Sequence, residues 1–191
     1  MLENTHRHFL NKTITGILEG KHYGKVLDVG SRHQPYKSII KFKEYFTLDL
    51  DPKQKPNFLV DAQTFKGVPK NSFNLVMATE LLEHCQNPFK VINNIHSALK
   101  KNGTAIVSMP SLYNDHSEKG IRDYYRYMED SGYEMFKEFR KVKVYRVGST
   151  MSASITMLGN QWKLLRLLFF FNPLLKFGKK GYTGIVVEAK K

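Results

Sequence analysis

The chain has 191 residues, 41% hydrophobic and 25% charged, with a formal net charge of +13 and a pI near 9.7. That length suits one sizeable core and is short for two. A single cysteine, Cys85, excludes an intrachain disulfide and makes a reducing compartment the default.

No run approaches the roughly 20 apolar residues that span a bilayer, and the first residues lack the apolar core of a secretory signal. A cytoplasmic protein is expected. The basic excess permits attraction to nucleic acid, an anionic membrane or an acidic substrate, without choosing among them.

Residues 9–18 place Phe9, Leu10, Ile14, Ile17 and Leu18 at helical spacing, which predicts a leading helix within residues 1–22. Residues 26–29 form a continuous apolar strand, as expected where both sheet faces are covered. Residues 35–42 predict a short helix with Pro35 in its first turn. Strands follow at 45–48 and 57–60, and at 72–78. Residues 87–99 predict an amphipathic helix with Phe89, Val91, Ile92, Ile95 and Leu99 inward. Asn102-Gly103 predicts a turn into a strand at 104–109, stopped by Pro110.

Beyond that point, 114–127 is polar and tyrosine-rich, 128–139 predicts a helix, and 142–147 and 184–189 predict strands. The β-α alternation argues for a doubly wound α/β domain over the whole of 1–191. Its core is 24–110, its cover 111–178 and its last strand 182–190.

Three of the apolar runs end in acids: Asp28 with Gly30, Asp49, and Asp61. In an open parallel sheet the strands deliver their carboxyl ends to one edge, where ligands bind. Three carboxylates there suit a ligand rich in hydroxyl, amino and ammonium groups. A dinucleotide would need a G-x-G-x-x-G phosphate turn. Only Gly30 is present, and Asp28 carries the wrong sign for a pyrophosphate.

Val26-Leu27-Asp28-Val29-Gly30, Leu48-Asp49-Leu50-Asp51, Val60-Asp61-Ala62, Ser72-Phe73-Asn74-Leu75-Val76, Leu82-Glu83-His84 and Leu99-Lys100-Lys101-Asn102-Gly103, in this order and spacing, resemble the class I S-adenosylmethionine-dependent methyltransferases, in particular the small type 11 group. The resemblance covers roughly residues 24–127 and the final strand. It implies a Rossmann-like α/β fold with a mostly parallel, doubly wound seven-stranded sheet and an antiparallel last strand. It also implies S-adenosylmethionine as cofactor, with S-adenosylhomocysteine released.

On that reading Asp28, Gly30 and Ser31 receive the methionyl tail and Asp49 and Leu50 the ribose. Asp61 and Ala62 read the adenine, and Thr79 and Glu80 lie near the reactive methyl. The sequence departs from the family where Gly30 is followed by Ser31-Arg32-His33-Gln34-Pro35 rather than further glycines, and where Asn74 replaces a frequent aspartate.

If the acceptor is a hydroxyl, a general base contributes about 10²–10⁴-fold. Glu80, Glu83, His84, Asp115, His116 and Asp123 are candidates; His84 ranks first and His116 second, because imidazole titrates near neutrality. Asp123-Tyr124-Tyr125-Arg126-Tyr127 resembles an acceptor-covering segment, so Tyr113, Asp123, Tyr124 and Arg126 are assigned to substrate, with Arg126 offered to an acceptor phosphate or carboxylate. No metal ligand is assigned.

Residues 162–177 are apolar on nearly every side. They are expected to be core or acceptor-site cover, with a homodimer contact or peripheral membrane contact as alternatives to a plain monomer. The expected acceptor is a small molecule or a glycan or lipid-linked compound, methylated at oxygen before nitrogen. An RNA-directed methyltransferase and a non-catalytic cofactor-binding module remain as alternatives; nucleic acid ranks lower because no basic stripe interleaved with aromatics stands out.

Overall fold

The structure is a computed structural model that describes residues 5–117, 120–159, 177–178 and 180–191. Its elements are α1 (Thr5–Leu18), β1 (His22–Val29), β2 (Lys41–Asp49), β3 (Phe58–Leu59), β4 (Phe73–Thr79), α2 (Pro88–Ala98), β5 (Leu99–Pro110), α3 (Glu129–Met135), β6 (Lys141–Val147), α4 (Thr150–Gly159) and β7 (Gly184–Lys190).

The strands form one seven-stranded sheet in the order β3-β2-β1-β4-β5-β7-β6. β1 pairs in parallel with β2 and β4, β2 with β3, and β4 with β5. β7 runs antiparallel between β5 and β6. This is the doubly wound sheet with an antiparallel last strand that the sequence predicts.

Alternation along the strands divides the core between two faces. Val26, Met77, Ile106 and Val186 pack with Leu10, Ile14 and Leu18 of α1. Leu27, Val76, Val107 and Val187 pack with Val91, Ile92 and Ile95 of α2 and Met135 of α3. Truncating a wholly buried side chain such as Phe73 to alanine costs about 3–5 kcal/mol in such a core.

Several boundaries differ from the sequence reading. The predicted helix at 35–42 is one 3-10 turn, Lys37–Ile39, and Lys41 and Phe42 already belong to β2. Residues 41–44 are exposed, so this part of the strand lies outside the core and lacks the period-2 burial that marks a strand. β3 shrinks to two residues at the sheet edge, where the Asn57 side chain takes the Thr47 N–H instead of extending the ladder.

α2 begins where Asn87 accepts the Lys90 N–H and Pro88 occupies the first turn. It buries Val91, Ile92, Ile95 and Ala98; Phe89, expected inward, is 53% exposed, and Leu99 is buried but opens β5. Asn102, at φ 65, sits in an irregularity inside β5 and not in a turn before it.

The predicted helix at 128–139 is shorter because Phe136 leaves helical geometry. Gly132 lets α3 lie on the sheet: a Cβ there would meet Ile185 and Val144 side chains at 3.2 Å. α4 was not foreseen. It is opened by reciprocal bonds, Ser149 N–H to Ser152 Oγ at 2.6 Å and Ser152 N–H to Ser149 Oγ at 3.3 Å, a capping box with serine in the usual Glu position. The apolar stretch 162–177 lies outside the described residues save Phe177, which is exposed.

Candidate active site

The carboxyl ends of β1, β2, β3 and β4 bring Asp28, Asp49, Asp61 and Thr79 to one edge of the sheet. Asp28 is 5% exposed, and the Tyr45 hydroxyl donates to it at 2.6 Å. Burial pushes its carboxyl up to about 7, against that hydrogen bond; the Asp49 charge adds to the rise.

Gly30 follows at φ 67, and a Cβ there would lie 2.9 Å from Leu81 Cδ1. Leu81 thus packs directly on the Gly30 α-carbon, and both that contact and the positive φ require glycine. The loop then turns without further glycines: Arg32 and Gln34 take φ 31 and φ 50. Ser31 is buried, and its carbonyl accepts the Gln34 N–H at 2.6 Å.

Asp49 ties the loop to β2. Its two carboxylate oxygens accept the backbone N–H groups of Arg32 and Asp51, each at 3.0 Å. Each oxygen keeps a lone pair for another donor. Leu50, next along, is 65% exposed and offers an apolar surface beside that carboxylate. Asp61 accepts the Gln63 N–H at 2.7 Å, and the Ala62 carbonyl takes the Asn94 amide. Asn74 serves the fold: its Oδ1 accepts the Lys25 N–H at 2.9 Å.

Glu80 turns the chain out of β4 at φ 51. Its side chain is engaged within the fold: the Ser108 hydroxyl donates to Oε1, and His6 of α1 lies 2.9 Å from Oε2. Burial would raise this carboxyl, but the His6 contact and hydrogen bond outweigh it and hold it below the usual range. His6 also meets the Thr183 hydroxyl at 2.9 Å, and its ring lies 4.8 Å from that of Tyr113. Sequence reasoning missed this contact, because His6 and Glu80 belong to elements that share no motif.

The 3-10 turn Leu82–His84 and the loop after β5 build the other half. Glu83 is wholly buried, and neither oxygen has a hydrogen-bond partner among the described residues. The Nε2 atoms of His84 and His116 stand 3.8 and 3.7 Å from its Oε1, beyond hydrogen-bond reach. Burial pushes the Glu83 carboxyl up to about 7. Interaction with Glu83 raises His116, whereas burial lowers His84.

Arg126 is not available to an acceptor anion. Nε donates to Tyr113 O, the two terminal nitrogens grip Asp123 bidentately, and their remaining hydrogens go to Tyr125 O and Asn114 O. All five guanidinium donors are thus used within the loop. Burial opposes ionisation of Asp123, but the Arg126 fork prevails and holds its carboxyl down at about 2. The Tyr124 hydroxyl accepts from Gln86 and the Tyr127 hydroxyl donates to Leu82 O, so the segment is laced onto the turn.

Two shallow cavities, of about 380 Å3 between α2 and α3 and about 540 Å3 beside α1 and β6, include none of Asp28, Asp49 or Asp61. The converging polar groups that mark a ligand site lie at the open strand edge instead.

The same fold occurs in known proteins. A SAM-dependent methyltransferase from Archaeoglobus fulgidus superposes with a TM-score of 0.60 at 17% identity, covering 95% of this chain and 91% of that one. Phosphoethanolamine N-methyltransferase 2 of Haemonchus contortus, in complex with S-adenosyl-L-methionine, gives 0.62 at 17% identity, over 95% of this chain and 52% of that one. Burkholderia thailandensis 1,6-didemethyltoxoflavin-N1-methyltransferase, with 1,6-didemethyltoxoflavin and S-adenosylhomocysteine bound, gives 0.60 at 16% identity, over 94% and 77%. No curated protein matches the sequence. The family described as Methyltransferase domain matches residues 2–165, which is most of the chain, and the protein belongs to that family.

Proposed function

We propose that the protein is an S-adenosylmethionine-dependent methyltransferase acting on a small-molecule or glycan-type acceptor, at oxygen. The observation that carries the cofactor is the pair Asp28 and Gly30: a buried carboxylate beside a turn at φ 67 that glycine alone adopts freely. A ligand ammonium would supply the counter-charge that the buried Asp28 carboxylate needs, and Asp49 has lone pairs for both ribose hydroxyls. Leu50 would cover the nucleoside, Asp61 and Ala62 would read its base, and Ser31 and Thr79 would line the tail. The residues present fit the cofactor.

When bound, the cofactor supplies an electrophilic methyl group on a sulfonium. The chain's part is alignment, worth up to about 7–11 kcal/mol in favourable cases. His84 and His116, beside Glu83, would take a proton from an acceptor hydroxyl. That basic cluster supports oxygen as the methylated atom. The two named N-methyltransferases support a small acceptor. Among the described residues no helix is long and apolar enough to cross a membrane.

Calorimetry with S-adenosylmethionine and S-adenosylhomocysteine tests the cofactor reading. Both are expected to bind the wild type, and Asp49→Ala to bind each at least tenfold more weakly. Absence of binding to both overturns it. A panel of hydroxylated and aminated small molecules and glycans, followed by release of S-adenosylhomocysteine, tests the acceptor class.

A further inference from the structure

The geometry points to a binding site for one divalent first-row transition cation, of the Zn2+ type, formed by Glu83, His84 and His116. One ligand atom from each lies within 4.8 Å of the other two. Two imidazoles and one carboxylate, with positions left open, is a donor set used by catalytic Zn2+ sites. Ligands about 2.1 Å from a shared ion stand about 3.0–3.4 Å apart; the two contacts to Glu83, at 3.8 and 3.7 Å, are close to that, and the widest pair, within 4.8 Å, closes by side-chain rotation of the two half-buried histidines.

Two independent features support it. Glu83 is a wholly buried carboxylate without a hydrogen-bond partner among the described residues, aimed between the two imidazoles. A buried carboxylate with no hydrogen bond is costly to ionise, and a cation held between it and the two imidazoles offsets that cost.

The second feature is how the rings are held. His84 Nδ1 lies 2.7 Å from Arg122 O, and His116 Nδ1 lies 3.2 Å from Asp123 Oδ2 and 3.3 Å from Asn114 O. With Nδ1–H donated to an oxygen, the lone pair of each ring sits on Nε2, which is the atom facing Glu83. Carboxylates and carbonyls behind metal-bound histidines fix the tautomer in this way. Arg126 acts one step further out, as a positioning residue that holds Asp123.

The histidine side chains are 16% and 32% exposed, so the cluster opens outward from a closed base. In the methyltransferase reading, on which this role rests, an acceptor oxygen takes an open coordination position and its pKa falls. With the ion bound, the Nε2 lone pairs of His84 and His116 are occupied, so the ion replaces them in activating the hydroxyl and the proton passes to solvent. The oxygen then forms its bond to the sulfonium methyl as the carbon–sulfur bond breaks, and the neutral thioether leaves.

The test is Zn2+ calorimetry on the full chain after chelator dialysis, with the Co2+ absorption spectrum as a second readout. One ion per chain is expected, and Glu83→Gln and His116→Gln should each weaken binding by at least about tenfold. His33→Ala, on the exposed loop, should leave it unchanged. Circular dichroism of each ion-free variant confirms folding; if Glu83→Gln misfolds, His116→Gln carries the comparison. Absence of saturable binding, or equal binding by wild type and a folded variant, overturns the site. Cofactor affinity measured on ion-free protein separates the readings. Cofactor binding without ion binding removes only the metal site; ion binding without cofactor binding removes only the methyltransferase assignment.

Discussion

His6 Nε2 and Glu80 Oε2 lie 2.9 Å apart, joining the first turn of α1 to the residue that follows β4. Both groups are largely buried, and removing one partner of such a pair typically costs about 3–5 kcal/mol. His6→Ala should therefore lower the unfolding free energy by about 3 kcal/mol. His6→Gln, which keeps a donor, should lose less. Denaturant unfolding gives the totals. Hydrogen exchange should show α1 opening first, and uniform protection across the variant would count against the latch.

Gly30→Ala forces an L side chain into φ 67 and drives its Cβ to 2.9 Å from Leu81. The backbone cost alone is about 1–2 kcal/mol. The expected result is a folded protein with at least tenfold weaker S-adenosylmethionine binding. Adding Leu81→Ala should recover part of the stability and little of the affinity, because it relieves the contact and not the dihedral.

Asp28 gives a pH dependence of defined sign. Its ordinary pKa is about 3.9, and burial pushes it up to about 7 in the folded chain. Between those values the unfolded chain has lost the proton and the folded chain keeps it, so this group's contribution to stability falls as pH rises across that window and then levels off. Asp28→Asn lacks that slope. Its stability relative to wild type should climb from about pH 4 to about pH 7. A flat difference in thermal unfolding between those limits would refute the assignment. In the wild type an ammonium beside Asp28 favours the ionised form, so cofactor affinity should rise as pH approaches 7, with proton release on binding. Calorimetry in two buffers of different ionisation enthalpy detects it.

Arg126→Lys replaces a five-donor fork with a point charge. The Asp123 grip and the carbonyl contacts to Tyr113 and Asn114 cannot all survive. A loss of about 1–3 kcal/mol is expected, together with weaker acceptor use at unchanged cofactor affinity. If cofactor affinity drops equally, the clamp serves the whole edge and not the acceptor loop.

The strands were legible because apolar runs fully buried on both faces stand out, and the acids ending them mark one edge without any knowledge of pairing. β2 was seen only from Tyr45 because Lys41 to Glu44 are exposed and carry no burial pattern. Phe89 misled because helical spacing identifies a stripe but not its width; the buried face of α2 runs through Pro88, Val91, Ile92 and Ile95 and leaves Phe89 at its margin. Glu83, His84 and His116 stood among the candidate bases as separate residues. Their meeting depends on how the loop after β5 folds back over the turn after β4, secured by Tyr124 N–H to Glu83 O and by the Arg126 fork. No spacing rule contains that contact. Arg126 was read as an anion receptor because its type was visible and its five partners were not.

The position of β7 sets an order of assembly. β6 pairs only with β7, β5 has β7 as its outer neighbour, and Thr183, just before β7, meets His6. A nascent chain that has released β6 but not residues 183–190 would expose two unpaired strand edges and leave the α1 latch half made. β7 therefore closes the outer edge of β5 and the inner edge of β6 together, with a strand that carries none of the proposed cofactor, acceptor or metal ligands.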